Sequence, residues 1–305
     1  MRILCSDQAH FSIQTAAEMV GIPPANVRVV ATDALGAMDV RAAQDKLGLE
    51  PSAQWMIVAT AGTTDLGAID PIDRLADIAG QHRAWLHVDA AYGGGLLFSG
   101  QHRHRLRGVA RATSVAVDGH KFGWQPVAVG MLLVRGAASF EVLTREVAYL
   151  NARDDERAGL TTLTSTPMTT TRRADAFKLL VTIRALGTEG IGELVERCHD
   201  LAVHAATAVE RLPEFELHSW PGMSTVLFRP VEGDPAIRDE KCSRIRRWLL
   251  SRGSAVIGRT ELPGAGPGRR WLKLTLLNPH VDTASIETLA GKLREAHRLV
   301  DVGPD

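Results

Sequence analysis

A rhythm in the first half of the chain restricts the fold more than any other feature. Short runs rich in β-branched and aliphatic residues follow one another between Arg2 and Arg135: RILCS, VRVVATD, WMIVATAG, AWLHVDAAY, SVAVDGH and VGMLLVR. Helical patterns separate several of them. SIQTAAEMVG closes on Gly21, and DVRAAQDKLG closes on Gly48 as a C-cap. DPIDRLADIAGQH opens on Asp70 as N-cap, with Pro71 at the first helical position. The strand runs are apolar on both faces, so they need cover above and below. Strands alternating with helices at this spacing predict an α/β fold with a mostly parallel sheet.

The second half reads differently. Residues 169–187, TTTRRADAFKLLVTIRALG, carry a helical stripe of Phe177, Leu180, Ile183 and Leu186 that ends on a glycine. A second helical pattern, ELVERCHDLAVHAATAVERL, follows. Strands are expected at FELHSW, STVLFRP, AVIGRT and WLKLTLL, with helices at CSRIRRWLLSRG and DTASIETLAGKLREAHRL. The glycine- and proline-rich LPGAGPG reads as a loop between two strands, and there are no internal repeats. A length of 305 residues suits a large domain plus a smaller one. The expected division is 1–170 for the large domain and 171–305 for a small C-terminal α+β domain, with the boundary in the polar, threonine-rich stretch from Asn151 to Thr171.

Charge narrows the function classes. Lys+Arg and Asp+Glu are both 35, so nothing suggests a nucleic-acid groove or an anionic membrane as partner. The basic cluster QHRHRLRGVAR reads as a solvated face. Cys5, Cys198 and Cys242 are odd in number and lack metal-ligand spacing, so no metal is expected. Free thiols fit a reducing compartment, the opening residues lack an apolar signal core, and the apolar run near Val127 to Val134 is too short to span a bilayer. The expected location is cytoplasmic.

In an open α/β sheet, ligands bind beyond the carboxyl ends of the strands. That rule selects His10 after the first run, Thr60, Thr63 and Thr64 after WMIVATAG, Asp89 at the end of AWLHVD, and Lys121 after SVAVDGH. Each has an ordinary explanation when taken alone: a satisfied histidine, a turn, a cap, a lysine reaching water. The combination is harder to dismiss. An acid ending one apolar strand and a His-Lys pair after the next suit pyridoxal 5′-phosphate, which needs a lysine amine for its Schiff base and an acid on its ring nitrogen. The amine must shed its proton to attack an aldehyde, which desolvation beside a cationic ring favours.

At SDQAHFSIQTAA, VATAGTTDLGAIDPI, WLHVDAAYGG and DGHKFGWQP the sequence resembles the pyridoxal-phosphate-dependent group II amino-acid decarboxylases of fold-type I. The resemblance covers nearly the whole chain and implies the PLP-dependent transferase-like fold. It implies that Lys121 carries the cofactor, Asp89 bonds its ring nitrogen, and His10 and Ala91 lie on the two ring faces. Thr60 would lie near the ring oxygen or the substrate carboxylate, and His120 near the phosphate or the lysine linkage. Asp118 matches a family position held by Asp or Asn. A carboxylate there suits a phosphate only if its charge is compensated. REVAYLN places Tyr149 at the family's mobile-loop tyrosine, which implies protonation of the substrate carbon after carbon dioxide leaves.

The downstream blocks resemble the diaminobutyrate and siderophore-type lysine/ornithine decarboxylase branch, which implies a small basic diamino acid as substrate. Family members carry a segment before the block that starts here at Arg2, including a glycine/serine-rich phosphate loop, and none precedes His10. The resemblance therefore implies an N-terminally truncated large domain, and a homodimer or a complex with a chain that supplies the missing segment. Two alternatives stand beside the decarboxylase: a catalytically incomplete fragment or subunit, and a fold-type I aminotransferase.

Overall fold

The computed structural model describes residues 1–143, 153–160, 171 and 173–300. The apolar runs of the first half form one sheet: β1 (Arg2–Ser6), β2 (Val27–Val30), β3 (Trp55–Thr60), β4 (Trp85–Asp89), β5 (Ser114–Asp118) and β6 (Gly130–Val134). Their order is β2-β1-β3-β4-β5-β6. The first five are parallel, and β6 pairs antiparallel to β5 at the edge.

Side chains alternate across a strand, so each face of the sheet builds its own core. Leu4, Ile57, Leu86 and Val88 pack with Ala43 and Leu47 of helix α2 (Val40–Gly48) and with Leu75 and Ile78 of α3 (Ile72–His82). On the other face Ile3, Cys5 and Val58 meet Ala17 of α1 (Ser12–Met19). Burying each such aliphatic side chain stabilises by about 1.5–3 kcal/mol. The chain passes from β1 outward to β2 and returns to place β3 on the far side of β1. The strand order therefore reverses between β1 and β3, which opens a crevice at their carboxyl ends.

The helix starts are only partly as expected. Asp39 caps α2, accepting from the N–H groups of Arg41 and Ala42. Asp70, expected to cap α3, does not. That helix starts at Ile72 behind Pro71 and has no side-chain cap. The Asp70 carboxylate turns into the sheet instead and accepts from the N–H groups of Met38 and Thr60, both at 2.7 Å.

After α4 (Arg153–Arg157), helix α5 (Asp175–Glu210) is interrupted at Gly187, whose φ of 67° only glycine adopts without strain. Beyond that break Val195 and Cys198 enter the first core. Before it the expected helix forms from Asp175 to the break at Gly187, and its apolar stripe faces outward, with Phe177 65%, Leu180 50% and Leu186 47% exposed.

The second sheet is antiparallel, β7 (Phe215–Leu217), β8 (Thr225–Pro230), β9 (Gly258–Glu261) and β10 (Arg270–Thr275), in the order β7-β8-β10-β9. Its core joins Val226, Phe228, Leu272 and Leu274 to α6 (Pro235–Ser251), α7 (Thr283–Val300) and the later part of α5. Asp234 caps α6 with Pro235 at its start. LPGAGPG does join two strands, β9 and β10. Among the described residues no helix is long and apolar enough to cross a membrane.

Gly93, Gly94 and Gly95 let the segment after β4 lie against the sheet. A Cβ on Gly93 would fall 2.3 Å from the Ala61 carbonyl oxygen, and one on Gly95 would fall 2.3 Å from the Phe122 Cβ. A Cβ on Gly80, inside α3, would meet nothing within 4 Å. Gly93→Ala is therefore expected to lose about 2–3 kcal/mol, whereas Gly80→Ala gains about 0.5–1 kcal/mol. Urea unfolding of the two variants checks the contrast.

Candidate active site

Strand ends that are remote in sequence open on one cavity of about 280 Å³. It is lined by His10, Ser12 and Ile13 after β1, Thr60, Gly62 and Thr64 after β3, His87, Asp89, Ala91 and Tyr92 from β4 onward, and Ala116, Asp118 and Lys121 from β5 onward. Of the residues selected from sequence, His10, Thr60, Asp89, Ala91, Asp118 and Lys121 are brought together here. His120 is not among the lining residues. Its Nδ1 lies 3.1 Å from the Val129 carbonyl oxygen, and its Nε2 faces Asp118. Tyr149 lies outside the described residues.

Local geometry sets each group. Asp89 ends β4 and accepts from the Ala91 N–H at 3.1 Å, which ties the carboxylate to the turn that follows. His87 shares its strand face two residues back. Burial lowers the His87 pKa, and the Asp89 charge opposes that shift. The His10 Nδ1 lies 2.8 Å from the Ser12 Oγ and 3.3 Å from the Ser12 N, which ties the ring to the start of α1. One oxygen of Asp118 lies 3.3 Å from the Lys121 Nζ and 3.5 Å from the His120 Nε2. Two basic side chains thus flank that carboxylate.

Thr60 is fixed through its backbone. Its N–H donates to Asp70, and its carbonyl accepts from the Asp70 N–H at 2.9 Å. Its hydroxyl, buried within a residue only 3% exposed, has no hydrogen-bond partner. A buried polar atom without a partner is rare in a finished site. Here it borders the cavity and awaits one.

Sequence reasoning missed the groups that support this cleft from behind. Tyr92 places its hydroxyl 2.6 Å from the Ser224 Oγ and 3.2 Å from the Thr225 Oγ1, which start β8 of the second sheet. Its ring stacks on Phe122 with centroids 5.3 Å apart, and Phe122 meets Trp124 edge-on at 5.9 Å. The Trp124 indole N–H donates to the Leu277 carbonyl at 2.7 Å, just past β10. Lys273 of β10 donates to the Thr64 carbonyl and pairs with Asp65 at 3.2 Å. A tyrosine after VDAA and a tryptophan after HKFG carry no such signal in one sequence.

The cleft fits pyridoxal phosphate. An amine, a carboxylate and an orphaned hydroxyl share one space, with the small Ala91 and Ala116 leaving room for a flat ring. Comparisons with known proteins agree. Residues 1–231 match the model of the pyridoxal-dependent decarboxylase conserved domain. The chain belongs to that family, whose cofactor is pyridoxal phosphate, and has its fold-type I architecture. It is 41% identical to the L-2,4-diaminobutyrate decarboxylase of Rhizobium meliloti (strain 1021), over 98% of this chain and 60% of that protein. It is 34% identical to the L-2,4-diaminobutyrate decarboxylase of Acinetobacter baumannii, over 99% of this chain and 59% of that protein. It also resembles the crystal structure of the glutamate decarboxylase domain of diaminobutyrate-pyruvate transaminase and L-2,4-diaminobutyrate decarboxylase from Vibrio parahaemolyticus. There the TM-score is 0.82 at 34% identity, covering 98% of this chain and 59% of that one. The chain thus spans about three fifths of the length of the relatives it matches.

Asp70 gives the site a pH signature. Burial raises its pKa from 3.8 to about 6, against the lowering effect of the Thr60 and Met38 N–H groups. The native state holds this proton where the unfolded chain has released it. Stability is therefore expected to fall as pH rises from about 4 to about 6, by roughly 3 kcal/mol, and to level off above. Unfolding free energies across that range should show the fall in the natural chain and lose it in Asp70→Asn.

Proposed function

We propose that this chain performs pyridoxal-phosphate-dependent decarboxylation of an L-amino acid, with a basic diamino acid (2,4-diaminobutyrate, lysine or ornithine) as substrate. One observation carries the reading: Lys121, Asp89, Thr60 and His10 line a single cavity at the carboxyl ends of the parallel strands. The 41% and 34% identities to diaminobutyrate decarboxylases support the diamino-acid class.

In this reading Lys121 would hold the cofactor through its amine, and the Asp89 carboxylate would hold its ring nitrogen and keep it protonated. His10 and Ala91 would flank the ring. Thr60 would offer its unpartnered hydroxyl to the ring oxygen or the substrate carboxylate. His120 serves the phosphate side or the lysine linkage, with Asp118 beside it, compensated by Lys121 and His120. The bound cofactor supplies an electron sink for the pair left when the carboxyl group departs as carbon dioxide. Tyr149 returns a proton to the substrate carbon while water is excluded.

The working unit we propose is a homodimer. Exposed apolar side chains on edge strand β6, Leu132 at 55% and Leu133 at 53%, support it. So do Phe177 at 65% and Val181 at 49% on α5, which stand four residues apart on one helix face and leave it without cover among the described residues. We also propose a division at 1–170 and 171–305 and a cytoplasmic location, which three buried free cysteines suit.

Borohydride reduction after mixing with pyridoxal phosphate is expected to fix the label on the Lys121 peptide, and Lys121→Ala should remove it. Asp89→Asn should keep the label yet slow decarboxylation by about two orders of magnitude. Diamino acids should yield amine and carbon dioxide. A keto acid product would show an aminotransferase instead, and no label on Lys121 would overturn the cofactor assignment.

A further inference from the structure

The basic segment QHRHRLRGVAR is the sequence feature that the cofactor cleft leaves unused. It was expected to be a solvated face, and part of it is not. Arg105 stands on a short 3-10 turn (Arg103–Leu106) beside the buried Leu106. Its guanidinium is half-buried and donates to the Gly222 carbonyl. Burial pulls its pKa down, and no neighbouring carboxylate opposes that shift. A buried charge is ordinarily paired, because desolvation without a partner is costly.

Arg105 lines a cavity of about 430 Å³, larger than the cofactor cleft and sharing no lining residue with it. Arg74, Arg107 and the half-exposed indole of Trp220 line the same space. Three carboxylates border it, and each is already committed. Asp33 accepts from the N–H groups of Leu35 and Ala37 at 2.9 and 3.0 Å. Asp70 accepts from Met38 and Thr60, and Asp73 accepts from the Arg111 guanidinium at 2.7 Å. Among the described residues, Arg74, Arg105 and Arg107 pair with no carboxylate. The cavity therefore offers guanidinium groups that lack a carboxylate partner and an aromatic wall, while each of its carboxylates already accepts hydrogen bonds elsewhere.

We infer that this cavity binds a small polyanion, a di- or tricarboxylate or a phosphate monoester. Guanidinium groups present forked N–H pairs that match either anion, and a planar group on the ligand can stack on Trp220. The volume is that of a small-molecule site. Asp70 in the wall holds the Thr60 N–H, so an occupant would abut the strand end that shapes the cofactor cleft.

Calorimetric titration of the full chain with citrate, and separately with phenyl phosphate, tests this at fixed ionic strength in sodium chloride. Saturable binding of one molecule per chain is expected, and the tighter of the two probes names the anion class. Arg105→Gln should weaken that binding by about tenfold. Arg107→Gln, at an exposed position that leaves the fold intact, should weaken it by about threefold to tenfold. Absence of saturable binding by both probes would overturn the inference, as would unchanged affinity in both variants.

Discussion

The cleft depends on a ladder of three aromatic rings, Tyr92, Phe122 and Trp124, held at both ends by the second sheet. Tyr92 follows the segment that carries Asp89, and Phe122 and Trp124 follow Lys121 directly. The ladder therefore joins the acid to the amine by packing, and its two polar ends tie both to β8 and to the chain past β10. Trp124 shows the constraint most clearly. Its φ is 50°, a left-handed conformation that costs a non-glycine residue about 1–2 kcal/mol. Such a conformation persists where the surroundings over-determine it. Here the ring contact with Phe122 and the indole bond to Leu277 do so.

The chemistry of the cleft follows from what each strand end is made to share. Asp118 divides one oxygen between Lys121 and His120, so this acid carries two basic neighbours. Asp70 divides its two oxygens between Thr60 and Met38, which shapes the end of β3 from behind. The Thr60 hydroxyl is left over for the cavity. A carboxylate held in place by backbone N–H groups is a firmer support than an exposed ion pair, because solvent and salt do not compete for it.

Much of this was legible in the sequence because strand ends obey simple rules. Short apolar runs, of which β1 and β3 are buried on both faces, mark β1 to β5, and the residues just past them fall at the carboxyl edge, where His10, Thr60, Asp89 and Lys121 meet. The failures have physical causes. Asp-Pro is a common helix start, so Asp70 read as a cap; no sequence pattern reveals that Met38 and Thr60 leave two N–H groups for it to satisfy. The stripe of Phe177, Leu180 and Leu186 has true helical spacing, but periodicity says which side chains share a face and not what covers that face. Tyr92, Trp124 and Arg105 act across contacts more than a hundred residues long, beyond the reach of any local pattern.

If the second sheet sets Lys121 through this ladder, cutting either anchor slows the capture of pyridoxal on Lys121, trapped by borohydride and counted by peptide mass, in Trp124→Phe and Tyr92→Phe. Tyr92→Phe removes the hydroxyl and keeps the ring, and Trp124→Phe removes the indole N–H while leaving a smaller aromatic ring in its place. Capture about tenfold slower in both, with melting temperatures within about 5 °C of the natural chain, is the expected result. Capture at the natural rate in both variants would contradict the account and leave the ladder as packing alone.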